Sequence, residues 1–579
     1  MSSCFDDLRG YLERLSQQDQ EEFIKAANEF ILETQPSTSK VSFQNQTSNL
    51  IIQSNLTFGQ RFEEWIRREI NLLKITYLLC LSKSSDPDAG KAMDFVKNCL
   101  RLFEFCRKES IRTGDEAATL AAMALLRIAS IVPEGDESSS RSYRVQAACI
   151  LEYLCETGEF DYGLLLVLLR VYILLGLGTL AMTIHDRLNQ KEVQNDTGKH
   201  LFLTRISTIH PFPSTDKTRE RLPEPIKDPL IGLKEINSWY TWAAKQQTDF
   251  VAKDLEAVPF FALYEFTSTR GQLERSFTRV MFQVEQRRMA RLRGQTGHLG
   301  PPLPHFKKAI YDNRDFQTLP DLEHSLQPSF EEITSTGPKP FVVWLSLWTF
   351  VDASQTLLFS KAPPPQSQVD MMQDASTYFF EHLPASDSTG DLTLTELSMA
   401  VAWQNFYMAV NSMLAGKNLP TTNKDCEPNF KELLQVAKAV QQSCNAMRQA
   451  LPAQDVPTWE QLHKWFSELE LLKACNGLCD HTLQLLKQKN SVISKRVRAE
   501  TVRNLKTTVG NAADDIQNVA REWTVQLQND GKKRILRMMK HELNLEELLS
   551  GETLDEYACR MRDSAIDGLD GVTRVKVGS

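Results

Sequence analysis

Four residues in the C-terminal third, His463, Cys475, Cys479 and His481, carry side chains that can hold zinc. On a continuous helix the Cys-x-x-x-Cys spacing puts both sulfurs on one face. A structural zinc site takes tight knuckle pairs, however, and a second pair is missing. Buried thiols packing as small apolar residues account for the same pattern. The run Gly176-Leu177-Gly178-Thr179-Leu180-Ala181 matches G-x-G-x-x-A, but that fingerprint meets pyrophosphate only where a strand precedes the glycines, and here the preceding run is helix-like. The sequence holds no Walker A run, no G-x-S-x-G elbow and no H-E-x-x-H. It therefore offers no catalytic, cofactor-binding or metal-ligating set. Basic side chains form three groups: Arg287, Arg288, Arg291 and Arg293; Lys495, Arg496 and Arg498; and Lys532, Lys533, Arg534, Arg537 and Lys540. Helical neighbours three and four apart share a face, so each group could contact RNA phosphates. A solvated face with favourable charge at a helix C-terminus also accounts for them, and the absence of interleaved exposed aromatics favours that reading.

The elements that must position these groups are helical. At 579 residues and 42% hydrophobic composition, the chain is too long for one core and apolar enough for several. With 66 basic and 74 acidic side chains the balance is mildly negative, which excludes attraction of the whole molecule to nucleic acid or anionic membrane. The eleven cysteines lack the dense pairing of a secreted disulfide scaffold, which fits a reducing compartment. The opening MSSCFDDLRG has neither region of a secretory signal, so the sequons at Asn45, Asn55 and Asn195 read as coincidence. Tyr162 to Met182 is long enough to span a bilayer. Arg170 at its centre would cost about 2.5–3.5 kcal/mol there, and Gly176 and Gly178 interrupt it. A hairpin of two buried helices is the better reading.

Apolar residues recur at spacings of three and four between Gly/Pro clusters, whereas period-two runs are scarce. The expected fold is all-α, an irregular helical-repeat (tetratricopeptide-like) solenoid with long C-terminal helices. The expected organisation is a helical segment over 1–34, a linker over 35–59, a helical-repeat block over 60–210 and a Pro-rich linker over 211–235. An irregular helical block over 236–455, long helices over 456–565 and a tail over 566–579, frayed from about Gly571, follow. Expected helices include Ala92–Lys108, Asp115–Ile131, Tyr143–Glu156, Tyr162–Leu175, Thr179–Gln190, Thr458–Lys489, Ser491–Leu527 and Lys532–Leu549. Breaks are expected at Thr34–Asn55, Pro211–Pro229, Gly294–Pro304, Lys361–Gln368 and Pro384–Gly390. Thr458 and Gln461 have capping-box spacing ahead of an apolar stripe of Leu462, Trp465, Phe466, Leu469 and Leu472.

From Asp161 to Pro213 the chain has a Leu-rich run carrying Arg170-x-Tyr172, then Leu175-Gly176, a second helix, Gln194-Asn195-Asp196-Thr197, and Leu201 with Arg205. With Cys4-Phe5-Asp6-Asp7-Leu8 and Tyr11-Leu12, this block resembles the auxiliary subunit of the N-terminal acetyltransferase B complex, NatB, over its C-terminal two-thirds. The resemblance implies a non-catalytic cytoplasmic scaffold that wraps a small catalytic subunit of the GNAT class. Acetyl-CoA would belong to that partner, leaving no cofactor on this chain, and the complex would acetylate nascent chains beginning Met-Asp, Met-Glu, Met-Asn or Met-Gln. It also implies ribosome association. From charge and composition, neither a membrane nor sequence-specific nucleic acid is expected as a partner. Candidates for binding or supporting the catalytic partner are Arg170, Tyr172, Gln194, Asn195, Asp196, Thr197 and Arg205. Candidates for facing the ribosome are Arg287, Arg288, Arg291 and Arg293. Family members begin with a tetratricopeptide-like region that this chain lacks, so it is expected to be a fragment, a truncated gene model or a short form. A helical-repeat scaffold of another assembly, in trafficking or RNA processing, is the competing reading.

Local chemistry bears on the same residues. Asn195, Asp196 and Thr197 can cap a helix beginning near Gly198, or they can touch the partner directly. Arg170 and Tyr172, set in an apolar helix, call for a paired carboxylate and a packed ring.

Overall fold

The computed structural model describes residues 3–33, 35, 58–83, 88–133, 136–158, 161–215, 228–257, 260–309, 311–360, 365–383, 390–414, 426–451, 455–488 and 492–578. Apart from Gln35, the expected linker Thr34–Asn55 with its two sequons lies outside the described residues. So do 216–227 of the Pro-rich linker, 361–364, and 384–389.

In chain order the helices are α1 (Ser3–Leu12), α2 (Gln17–Glu33), α3 (Phe58–Thr76, continued by a π-helical stretch Tyr77–Ser82), α4 (Ala89–Lys108), α5 (Asp115–Ile131), α6 (Glu137–Thr157), α7 (Tyr162–Leu174) and α8 (Gly178–Leu188). Three short turns of helix follow: α9 (Gln194–Thr197), α10 (His200–Leu203) and α11 (Ile206–Ile209). Then come α12 (Pro229–Ala257), α13 (Phe260–Glu274), α14 (Phe277–Leu292), α15 (Phe330–Ile333), α16 (Val342–Phe359), α17 (Gln366–Glu381) and α18 (Leu394–Leu414). The last are α19 (Glu427–Ala450), α20 (Trp459–Leu486), α21 (Ala499–Gln526), α22 (Lys532–Met539) and α23 (Gly551–Thr573). The fold is an all-α helical solenoid. Among the described residues the only β pairing is an isolated bridge between Ser276 and Tyr311.

The chain forms two compact units, each assembled from segments distant in sequence, in place of the contiguous blocks expected. The first comprises 1–171, 317–334 and 535–557; the second comprises 172–316, 335–534 and 558–579. In the first, α4, α5 and α6 pack in succession and α3 packs on α2 and α5. Helix α5 is buried almost all round, its Ala117, Ala118, Ala121, Ala122 and Ala124 letting neighbouring backbones approach closely. Asp88 caps α4 by accepting from the amides of Gly90 and Lys91, and Asp136 caps α6 through Ser139.

In the second unit α19, α20 and α21 pack together, as do α12 and α13, and α16 with α17 and α18. The capping box of Thr458 and Gln461 forms, and the whole stripe from Leu462 to Leu472 is buried. Helix α16 is the one described helix long and apolar enough to cross a membrane, yet 78% of that window is buried inside the protein. Its Trp344 and Trp348 stack edge-on with each other, and Trp348 does so with Trp403. The tail is not frayed: α23 continues to Thr573, Val575 and Val577 are buried, and Gln517 Nε2 donates to the Val575 carbonyl at 2.6 Å.

Candidate functional site

The segment 172–210 begins at the turn that ends α7. Gly176 has φ +69°, its amide donates to the Ile173 carbonyl and that of Leu177 to the Tyr172 carbonyl, both at 2.8 Å. This is a Schellman stop. A Cβ on Gly176 would lie 2.7 Å from the Pro457 carbonyl oxygen, and one on Gly178 would lie 2.5 Å from the His210 ring. Both glycines are thus required by a turn and by close approach of neighbours, a role unrelated to nucleotide phosphates. The ring of Tyr172 is 2% exposed. In the first unit Arg170 finds the expected carboxylate, Glu331, at 3.4 Å, and both side chains are buried.

Gln194 to Thr197 do not cap a following helix; they are themselves the turn α9, and neither α9 nor α10 has a side-chain cap. Asp196 turns inward instead. Its Oδ1 accepts from the hydroxyls of Tyr240, at 2.5 Å, and Ser276, at 2.6 Å, and its Oδ2 accepts from Asn313 Nδ2 at 2.7 Å. One carboxylate therefore joins α9 to α12, the start of α14 and the chain beyond it. Asn195 is buried, which removes its sequon from the surface. The Thr197 carbonyl accepts from the Asp315 amide at 2.8 Å. Gln194 alone of the four is exposed, beside Val193, which is 61% exposed.

Arg205 adopts a left-handed conformation, φ 59°, between α10 and α11. Its side chain is fully buried and every guanidinium N–H has an acceptor. Nε and Nη2 face Glu396, Nη1 donates to the carbonyls of Thr336 and Pro338, and Nη2 also donates to the carbonyl of Asp391. Burial would raise the Glu396 pKa, but the adjoining Arg205 guanidinium, the His463 ring and the Thr393 amide together outweigh it and hold the carboxyl at about 2. Trp344 Nε1 donates to the same carboxylate at 2.8 Å. Next to it His463 sits between the hydroxyls of Thr208, 2.7 Å from Nδ1, and Thr393, 2.9 Å from Nε2. Burial lowers the His463 pKa to about 3, so the ring is neutral. Both its nitrogens are committed to threonines, while burial pushes the Cys475 thiol well up and the Cys479 thiol to about 12. These residues do not converge on a metal site.

The four arginines of α14 contradict the ribosome-facing expectation. Arg288 is buried, pairs with Glu470 at 2.8 Å and lies over the Trp348 ring at 3.4 Å. Arg287 and Arg291 both clamp Asp352. Arg293 pairs with Asp228 at 2.7 Å and its side chain is 3% exposed. These guanidiniums tie α14 to α16, α20 and the start of α12, and none is free to meet phosphate.

The model of the family described as "N-acetyltransferase B complex (NatB) non catalytic subunit" matches residues 2–334. The chain belongs to that family. A NatB non-catalytic subunit is not the enzyme of its complex. The matched region contains every partner-binding candidate and the α14 arginines, and it ends at the stretch that pairs with Arg170. Among curated proteins this NatB-family chain is 26% identical over 289 residues to "N-terminal acetyltransferase B complex subunit arm1" of Schizosaccharomyces pombe (strain 972 / ATCC 24843), which takes in 48% of this chain and 33% of that relative. The matched stretch thus spans a third of the relative's length. Among solved structures, a NatB acetyltransferase complex bound to a bisubstrate inhibitor has a chain with a TM-score of 0.47 and 13% identity, covering 98% of this chain and 74% of that one. A NatB complex bound to CoA and MES gives 0.48 and 12%, covering 98% and 71%.

Proposed function

We propose that this chain is the scaffold that binds and supports the catalytic GNAT subunit of a cytoplasmic NatB complex. The catalytic subunit holds acetyl-CoA and acetylates nascent chains that begin Met-Asp, Met-Glu, Met-Asn or Met-Gln. The observation that carries this reading is the family match over residues 2–334. In it, Arg170, Tyr172, Asn195, Asp196 and Arg205 act as supports, since all are buried. Gln194 and Thr197 remain the members of the set with side chains at or near the surface. Ribosome contact falls to exposed basic groups outside α14, such as Lys495 and Arg498.

Co-expression of this chain with the NatB catalytic subunit of the same organism tests the proposal. A single co-eluting complex of the two chains is the expected result. Separate elution, under conditions where a longer form of this chain does bind, would show that these residues are insufficient for assembly. Separate elution of both forms would leave the chain a helical scaffold of some other complex.

A further inference from the structure

Residues 317–334 form a strap across the first unit, and side chains from four of its helices hold it. Arg9 of α1 donates to the carbonyls of Asp321, at 3.0 Å, and Glu323. Tyr77 and Ser82, at the two ends of the π-helical stretch after α3, both donate to the Glu323 carboxylate. From α5, Arg127 lies 3.8 Å from the same carboxylate and donates to Gln327 Oε1 at 3.1 Å. Arg170 of α7 takes Glu331 by its carboxylate and its carbonyl, each at 3.4 Å. π-Helical turns are uncommon and concentrate at functional positions; this one aims two hydroxyls at one carboxylate.

The strap itself has little regular structure beyond the single turn α15, and its residues alternate between seated and open. Leu322 packs on the cluster of Phe5, Leu12, Ile75, Leu78 and Leu79, and Phe330 is wholly buried, whereas Leu326 is 82% exposed. Each apolar anchor is followed directly by a gripped carboxylate: Leu322-Glu323, and eight positions on, Phe330-Glu331. Opposite these acids the wall presents Arg127 and Arg170, while Arg9 holds the carbonyls of Asp321 and Glu323. Arginine clusters recognise acidic motifs through charge-assisted hydrogen bonds, and pockets for apolar side chains add specificity along an extended peptide.

We propose that this wall is a recognition track for an extended acidic peptide of the form apolar-Glu, six residues, apolar-Glu, and that residues 317–334 are its resident ligand in cis. A partner segment of the same chemistry competes with the strap for the track. The track and the strap both lie within the first unit, and peptide binding there requires no acetylation activity.

The test uses the full chain with specific protease sites inserted after residues 316 and 334, and a fluorescent synthetic peptide of residues 317–334. After nicking, the labelled peptide is expected to exchange into the track saturably. A peptide carrying E323A and E331A should bind at least tenfold more weakly, and the unnicked chain should bind neither. A nicked chain that loses its helical signal, or that binds both peptides equally, would overturn the proposal. Should the insertions prevent folding, an uncut chain with E323A and E331A in its own strap is expected to bind the wild-type peptide in trans, and failure to do so would overturn it equally.

Discussion

Arg205 and Glu396, 191 positions apart, meet as a fully buried ion pair with Nη2 3.0 Å from Oε2. An ion pair taken wholly out of water is stabilising only when its remaining hydrogen bonds are satisfied. Here three carbonyls complete the arginine, and Trp344 and the Thr393 amide complete the glutamate. Arg205→Ala leaves Glu396 buried and uncompensated, and should cost about 3–5 kcal/mol. Arg205→Lys should recover only part of that, because an ammonium cannot reach acceptors spread around a planar fork. Urea unfolding of the two variants checks the order.

Acid should destabilise the second unit in two stages. Burial holds His185 and His463 at about 3 and His210 at about 4, against an ordinary 6.5. The unfolded chain therefore takes up protons that the folded chain refuses, and stability falls as pH drops below about 6.5. Each histidine contributes a slope of up to roughly 1.4 kcal/mol per pH unit. Glu396, held at about 2 against 4.5, adds a contribution that is complete above its unfolded pKa and is lost as pH falls from 4.5 towards 2. A melting profile against pH should steepen below that point. The same profile for Glu396→Gln should lack the second stage.

Asp196 carries three hydrogen bonds from donors 44, 80 and 117 positions away. In Asp196→Asn an amide NH₂ replaces an acceptor and faces donors, so the substitution should cost about 3 kcal/mol or more. Tyr240→Phe removes one donor to this carboxylate and should cost about 1.5–3 kcal/mol. Gln194→Ala, whose side chain is exposed, should leave stability within about 0.5 kcal/mol of wild type. Equal losses from Gln194→Ala and Asp196→Asn would contradict the placement.

Alanine at Arg288 should lower stability by about 3–5 kcal/mol, because it strands Glu470. Any ribosome binding by the folded variant should keep the salt dependence of wild type, since a guanidinium that touches no phosphate releases no counterions. A shallower salt slope for Arg288→Ala would restore the ribosome-facing assignment.

The helices were largely legible in the sequence because their signals are local. Asp115–Ile131 coincides with its expected span, and the Thr458–Gln461 spacing marks the start of α20. Glu137 opens α6 six residues before the expected Tyr143, since the run of serines there hides a helix that Asp136 caps. The site was less legible because its partners are remote. Nothing near Arg170, Arg205 or Arg288 in the chain announces Glu331, Glu396 or Glu470. Four arginines close together look the same in sequence whether water or carboxylates surround them. The QNDT run suggested a cap for the same reason: Asx and Thr residues favour caps locally, and a long-range demand on Asp196 leaves no periodic trace.

Support of the catalytic subunit by this chain is tested most directly by the acetylation rate of a Met-Asp-starting peptide, measured with the catalytic subunit alone and with this chain added. A clear rise in kcat/KM is expected when this chain is present, retained on co-purification and reduced by Asp196→Asn in proportion to lost folded protein. A catalytic subunit whose rate is unchanged by a saturating amount of the folded chain would contradict it.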